Sequence, residues 1–212
     1  EPFLGDDVSE ADVDLDVKKY YGDILERNSF FHACNDFQPE VIFHLAAQPI
    51  VRNHFIRREL DYETILTNMT GTQNVFDVAM RTKSLRKIIH ISTDKVFGDT
   101  DYIQSNSCLI GTRHPYNASK LAGDVLAQMF ASYYSVPTVI VRHGNVYGEG
   151  DLHWDRLVPR TIRQVYEGHA PVIRGDGSTS RDYIHVDDVT DAYLKLMDGK
   201  FKENPFIINF GS

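Results

Sequence analysis

The chain of 212 residues has only two cysteines, Cys34 and Cys108, and one tryptophan. Two cysteines cannot build a disulfide framework, and neither has the spacing of a metal ligand, so both read as ordinary thiols in a reducing compartment. The nine histidines are scattered without a His-x-x-x-His pattern, and no metal is expected. Positive charge is short: 22 Lys and Arg stand against 30 Asp and Glu, a formal net charge of -8. That balance argues against a nucleic-acid or membrane-surface partner, while leaving room for phosphate ligands held by a few placed arginines and backbone amides. No apolar run approaches the length of a bilayer span, and Glu1 to Val17 is acidic without an apolar signal region. Repeats and low-complexity tracts are also absent. What remains is a chain long enough to bury a real core in one or two domains, expected in the cytoplasm.

Its apolar residues fall into strands separated by helices. Residues 1–17 read as an exposed acidic loop, Lys18 to Tyr21 as a short strand, and Asn28 to Asp36 as a helix stopped by Gln38-Pro39-Glu40. Val41 to Ala47 is an almost continuous apolar run, as in a strand buried on both faces. A long helix follows from about Glu59 to Thr82, then a strand over Lys87–Ser92, a helix over Tyr116–Tyr134 and a strand over Thr138–Arg142. This alternation predicts an α/β fold: a Rossmann-like, doubly wound parallel sheet with helices on both faces. After Gly148 the texture changes. A loop leads to helical spacing over Leu157–Gly168, a short strand at Pro171–Arg174, a return to the sheet at Tyr183–Val186, a helix over Val189–Met197 and a last apolar run, Phe206–Phe210. Asp187-Asp188 resembles a metal pair but reads as the cap of that helix.

The chemistry is concentrated in Ile91-Ser92-Thr93-Asp94-Lys95-Val96-Phe97-Gly98 and in Pro115-Tyr116-Asn117-Ala118-Ser119-Lys120. A Tyr-x-x-x-Lys pair opening a helix puts phenol and ammonium one turn apart on the same face. The ammonium is expected to pull the phenol below its usual pKa of about 10 and make Tyr116 a general base for a hydroxyl. Thr93 can give the same hydroxyl a second hydrogen bond. Asp94 and Lys95 add an acid/base couple that hydride transfer alone does not need.

In order along the chain stand Gly22-Asp23-Ile24, His44-Leu45-Ala46-Ala47-Gln48, Ser92-Thr93-Asp94-Lys95, the Tyr116/Lys120 pair, Gly144-Asn145-Val146-Tyr147-Gly148 and Arg181-Asp182-Tyr183-Ile184-His185-Val186-Asp187-Asp188. This series resembles the extended branch of the short-chain dehydrogenase/reductases, the NAD-dependent epimerase/dehydratase family, from about Gly22 to the last residue. Within it, Asp94-Lys95 is similar to the acid/base pair of CDP-glucose 4,6-dehydratases. The resemblance implies tightly held NAD, contacted by Asp23, Ile24, Leu45, Ala46, Ala47, Gln48, Asn68, Ser92, Tyr116, Lys120 and His143. It implies catalysis by Thr93, Asp94, Lys95, Tyr116 and Lys120. The nucleotide-diphosphate sugar would meet Thr93, Asn145, Arg156, Leu157, Arg174 and Arg181. For Arg174 a solvated surface position competes with that role, as a plain turn does for Asp23 and helix–sheet packing does for Ala46 and Ala47.

The implied reaction is a nucleotide-sugar 4,6-dehydration: Tyr116 takes the C4 hydroxyl proton, Lys95 the C5 proton, and Asp94 protonates the departing C6 hydroxyl. A nucleotide-sugar 4-epimerase, a UDP-N-acetylhexosamine 4,6-dehydratase and a non-catalytic nucleotide-sugar-binding or dinucleotide-binding subunit are the alternatives. The resemblance also implies a homodimer through a four-helix contact made by Glu59–Thr82 and Tyr116–Tyr134. It divides the chain into residues 1–149 of the NAD-binding domain, 150–181 of a substrate lobe, 182–198 back in the first domain and 199–212 opening the rest of the lobe. Nothing in residues 1–50 matches the Gly-x-x-Gly-x-x-Gly loop that holds the cofactor pyrophosphate, so the chain is expected to be an internal portion of a longer polypeptide or a chain with an omitted start. Two departures stand out. Phe97 occupies the place of a common tyrosine, and Ser105–Gly111 lacks an acidic Thr-Glu pattern.

Overall fold

The computed structural model describes residues 17–49, 58–98, 114–173 and 175–211. Ser105–Gly111, Cys108, Arg174 and the acidic start up to residue 16 lie outside the described residues.

Helix α1 (Arg27–Phe37) ends at Gln38, whose left-handed backbone (φ 54°) lets its N–H return to the Cys34 carbonyl just before Pro39. β1 (Val41–His44) follows. The long central helix is three pieces in succession: α2 (Arg58–Leu66), a π-helical turn Thr67–Gly71, and α3 (Thr72–Arg81). α3 buries Thr72, Val75, Phe76 and Ala79, the one-face spacing of a helix lying on a sheet. β2 (Lys87–Ile91), a short 3-10 turn (Asp94–Val96), α4 (Pro115–Tyr134) and β3 (Thr138–His143) come next. α4 starts with Pro115 at its first position, where the missing N–H costs nothing, and His114 Nδ1 accepts the Tyr116 N–H at 3.2 Å. It stops at Ser135 in the left-handed region, with Val136 N–H on the Phe130 carbonyl at 3.2 Å. The chain continues through β4 (Asn145–Tyr147), α5 (Leu157–Tyr166), β5 (Tyr183–His185), α6 (Val186–Asp198) and β6 (Phe206–Phe210).

The main sheet has the order β1-β2-β3-β6, all parallel, with Ile42 opposite Ile88, Ile89 opposite Val139 and Ile140 opposite Ile207. Alternation along the strands fills two separate cores. Ile42, Ile88 and Ile140 point at α1, α3 and α4, where they join Phe76, Val75, Ala127 and Phe130. Ile89, Val139 and Val141 point the other way, toward Leu196 and Tyr193 of α6. Both faces are covered, so the strands carry the nearly unbroken apolar runs seen in the sequence. The Phe76 and Phe130 rings stack with centroids 5.5 Å apart, which fixes α3 against α4.

Four local expectations are corrected. Lys18–Tyr21 is not a strand: among the described residues none lies beside it to exchange ladder bonds, and Lys18 and Tyr20 instead bond the Asp36 carboxylate of α1. Residues 171–173 are not a strand either, because Val172 donates its N–H to Gln164 Oε1 and its carbonyl accepts from Arg160 of α5. β5 does not rejoin the main sheet but pairs in parallel with β4 as a separate two-stranded sheet. Gly144 permits that pairing. A Cβ there would lie 2.7 Å from the Asp182 carbonyl, which instead accepts the Asn145 N–H at 2.9 Å. Finally, α6 starts at Val186, so Asp187 and Asp188 sit in its first turn, where their charge meets the positive helix end, while His185 caps it.

Among the described residues no helix is long and apolar enough to cross a membrane, and no group of three or more His, Cys, Asp or Glu could hold a metal ion. Cys34 is buried and free, and burial pushes its thiol up, away from reactivity.

Candidate active site

All four strands of the main sheet run the same way, so β1, β2 and β3 deliver their following segments to one edge: Leu45–Gln48, Ser92–Lys95 and His143–Gly144. In an open parallel sheet this carboxyl edge is where ligands bind. The first turns of α4 close the same side.

Thr93 ends the extended backbone of β2 and opens the 3-10 turn, accepting the Lys95 N–H at 3.3 Å. Its hydroxyl donates to Asp94 Oδ1 at 2.9 Å and shares a hydrogen bond with the Tyr116 phenol. Lys95 Nζ donates to Asp94 Oδ2 at 2.6 Å, with both side chains only partly exposed. Thr93, Asp94, Lys95 and Tyr116 are therefore one connected cluster. Lys120 is buried, at 8% exposure, and its ammonium donates a hydrogen bond to the Ile91 carbonyl at 2.6 Å.

The electrostatics differ from the sequence expectation. Tyr116 is pushed up to about 12, first by burial and then by the Asp94 carboxylate, with Arg156 and the Thr93 hydrogen bond offsetting only part. Lys120 does not offset this, because its own ammonium is lost before a phenol at about 12 ionises. Burial instead pushes Lys120 itself down to about 8, against the pull of Asp124.

Several residues expected to touch a cofactor also tie elements of the fold together. Asn68, in the π-helical turn, accepts the Gln48 N–H at 2.7 Å and donates to the Gln48 carbonyl at 3.1 Å and to Ser119 Oγ at 2.8 Å. Ser119 in turn bonds the Tyr116 carbonyl at 2.7 Å. One side chain thus ties the loop after β1 to the start of α4. Ser92 points inward, donating to Asp124 Oδ2 at 2.6 Å. Asp23 closes its own turn on the Leu25 N–H, and Ile24 packs at the edge of the core. Leu45 and Ala46 are exposed at the carboxyl edge, with Ala47 half-buried beside them. His143 Nδ1 lies 3.0 Å from the Gly144 carbonyl, and Nε2 lies 2.8 Å from the Tyr193 hydroxyl. With Nδ1 donating, Nε2 is the acceptor and the ring is neutral, as its burial also favours.

Of the residues expected to meet substrate, Arg156 acts on the Tyr116 phenol and pairs with Asp151 at 3.2 Å. Asn145 Nδ2 donates to the Asp182 carbonyl at 3.2 Å. Leu157 is exposed at the start of α5, and Arg181 is exposed with Nη1 on the Ser180 carbonyl. The sequence reading missed Asp124, which accepts from Ser92, from Arg142 at 2.9 and 2.8 Å and from Gln128 at 2.7 Å. Its signal was present: an acid one helical turn beyond Lys120, with an arginine closing the neighbouring strand. Phe97, at the place of a common tyrosine, lies under the Arg142 guanidinium at 5.2 Å.

Known proteins resemble this arrangement. CDP-glucose 4,6-dehydratase of Salmonella typhimurium is 28% identical over 199 residues, 88% of this chain and 54% of that protein. dTDP-glucose 4,6-dehydratase of Haemophilus influenzae is 32% identical over 194 residues, 86% of this chain and 56% of that one. The UDP-glucuronic acid 4-epimerase of Bacillus cereus, solved with UDP-glucuronic acid and NAD, is 29% identical with a TM-score of 0.78, over 90% of this chain and 59% of that one. The chain thus spans little more than half the length of these relatives. The model of the NAD dependent epimerase/dehydratase family matches residues 6–211, nearly the whole chain, and the chain belongs to that family.

Proposed function

We propose that the chain is the catalytic core of a cytoplasmic, NAD-dependent nucleotide-diphosphate-sugar 4,6-dehydratase, with CDP-glucose first among the substrates to try. The observation that carries this reading is the contact between Lys95 and Asp94 beside the Thr93–Tyr116 pair.

The residues fit the cofactor. Small Ala46 and Ala47 leave backbone accessible at the carboxyl edge, and a phenol held at about 12 needs a nearby cation to release its proton. NAD, when bound, would supply that cation and would accept the C4 hydride and return it to C6. Leu45 to Gln48, Asn68, His143 and Lys120 would hold it, with Asp23 and Ile24 at its adenine end. Tyr116 removes the C4 hydroxyl proton while Thr93 orients the same oxygen. Ketone formation at C4 acidifies C5. Lys95 must then be a neutral amine and Asp94 a neutral acid, and the 2.6 Å contact lets the ammonium proton pass directly to the carboxylate. Lys95 takes the C5 proton and Asp94 protonates the departing C6 oxygen, releasing one water; Lys95 then gives its proton back to C5 as hydride is returned to C6, and the proton held by Tyr116 passes along Thr93 and Asp94 to restore the ion pair. Arg156, with Asn145, Leu157, Arg174 and Arg181, would line the nucleotide and diphosphate, with residues 150–181 as part of the substrate lobe.

The partner we infer is a second copy. Tyr62, Ile65 and Met69 along α2 and its π turn, and Val125, Met129 and Tyr133 along α4, form exposed apolar stripes on two helices packed together. They suit a four-helix contact.

The test uses the full-length protein carrying Lys95→Gln or Asp94→Asn. Each variant is expected to show the nicotinamide absorbance change on adding sugar nucleotide, while dehydration falls by about 10²–10⁴-fold. Dehydration within tenfold of the unaltered enzyme would remove the acid/base pair from the mechanism.

A further inference from the structure

Lys120 and Asp124 stand one turn apart on the buried face of α4, at 8% and 0% exposure. They grip consecutive residues of β2 and the segment after it: Lys120 bonds the Ile91 carbonyl at 2.6 Å, and Asp124 bonds the Ser92 hydroxyl at 2.6 Å. The next residue is Thr93. On its other side the Asp124 carboxylate receives the Arg142 guanidinium in a two-point contact, and Arg142 precedes His143. Ser92 N–H also bonds the Val141 carbonyl at 2.7 Å. Gln128 completes the set, and Phe97 lies under the guanidinium. Every acceptor on this buried carboxylate is used, from a strand end on each side and from its own helix.

We propose that Asp124 is a positioning residue: its carboxylate locks the ends of β2 and β3 to the turn of α4 that carries Lys120, and it is the counter-charge of the Lys120 ammonium.

The surroundings of Lys120 leave Asp124 as the group that favours its charge. From the sheet, His44 of β1, His90 of β2 and His143 of β3 feel the ammonium, and burial holds all three low and neutral. Arg142 of β3 is engaged by Asp124, and Asp94 acts on Tyr116 and His143. On its own helix Lys120 has Tyr116, neutral and pushed up, and Asp124, which raises it against burial. A merely structural Asp124 would hold the strands together. One that also serves Lys120 sets the pH range over which the ammonium persists.

This inference rests on the proposed dehydratase only for its kinetic readout, so the experiment has two arms. In the full-length protein with lysine labelled at the ε position, the Lys120 resonance is identified by its loss in Lys120→Met and titrated by NMR. Asp124→Asn, which removes the counter-charge while keeping the side-chain shape, is expected to lower the Lys120 midpoint by about one pH unit or more. The alkaline limb of kcat should move down with it, with KM for sugar nucleotide changed less than about threefold. Arg142→Gln alone frees the carboxylate for Lys120 and is expected to raise the midpoint. An unmoved midpoint in either folded variant overturns the proposal. If the unaltered enzyme converts no sugar nucleotide, the dehydratase reading falls while the Lys120 midpoint still decides the role of Asp124.

Discussion

His90 offers the sharpest stability prediction. It sits in the middle of β2 at 2% exposure, and neither ring nitrogen has a hydrogen-bond partner. Its neighbours are the His44 ring at 5.2 Å and the Phe76 ring at 5.8 Å. Burial, then His44, Lys120 and Arg142, hold His90 well below the ordinary imidazole range. Burial and Lys120 push His44 down to about 3. Both rings are neutral in the fold, while in the unfolded chain they take up protons below about pH 6.5. Their contribution is therefore complete above pH 6.5 and is lost as pH falls toward the folded values, down to about 3 for His44. A group that stays neutral costs about 1.3 kcal/mol between pH 7 and 5.5, so the two together cost about 2.5 kcal/mol. His90→Leu should halve that acid loss. At pH 7 it also removes two unsatisfied buried nitrogens, worth about 1–3 kcal/mol less about 1 kcal/mol of shape mismatch. Urea unfolding of both proteins at pH 7 and 5.5 reads the two effects separately. A variant less stable at pH 7 that also keeps the whole acid loss would refute the reasoning.

Three further perturbations follow from particular contacts. Asn68→Ala removes two bonds to the Gln48 backbone and one to Ser119, and should cost about 2–4 kcal/mol and loosen bound NAD, read by denaturant titration and by cofactor retained on dialysis. Gly144→Ala forces a Cβ to within 2.7 Å of the Asp182 carbonyl and should cost about 1–3 kcal/mol by separating β4 from β5; an unchanged melting temperature would contradict this close approach. Met129→Glu puts a charge in the apolar stripe of α4 and should convert a dimer to monomer in sedimentation equilibrium, with the thermal melt of the monomer little changed because Met129 lies outside the core.

The sheet was legible because its strands are buried on both faces: Val41–His44, Lys87–Ile91 and Thr138–His143 are short apolar runs that helices of fixed spacing separate. The hydrogen-bonded cluster of the candidate site was legible because Thr93, Asp94 and Lys95 are adjacent in sequence and Tyr116 opens a helix at a proline. What escaped was long-range. A run such as Lys18–Tyr21 has strand composition, but a strand exists only with a neighbour. The pairing of β5 with β4 depends on Gly144 meeting Asp182, residues 38 positions apart. The phenol of Tyr116 rises rather than falls because burial and Asp94 outweigh Arg156 and the Thr93 hydrogen bond, while burial pushes Lys120 itself down to about 8. Helix spacing puts Lys120 near Tyr116 but does not say which oxygen its ammonium meets.

The most direct test of the central claim incubates the full-length protein with NAD+ and CDP-, dTDP-, UDP- and GDP-glucose, each deuterated at C4, and reads product mass and label position. The expected product is lighter by one water and carries deuterium in its new C6 methyl group. A product of unchanged mass with its label back at C4, or no conversion of any of the four, would contradict the roles given to Asp94 and Lys95.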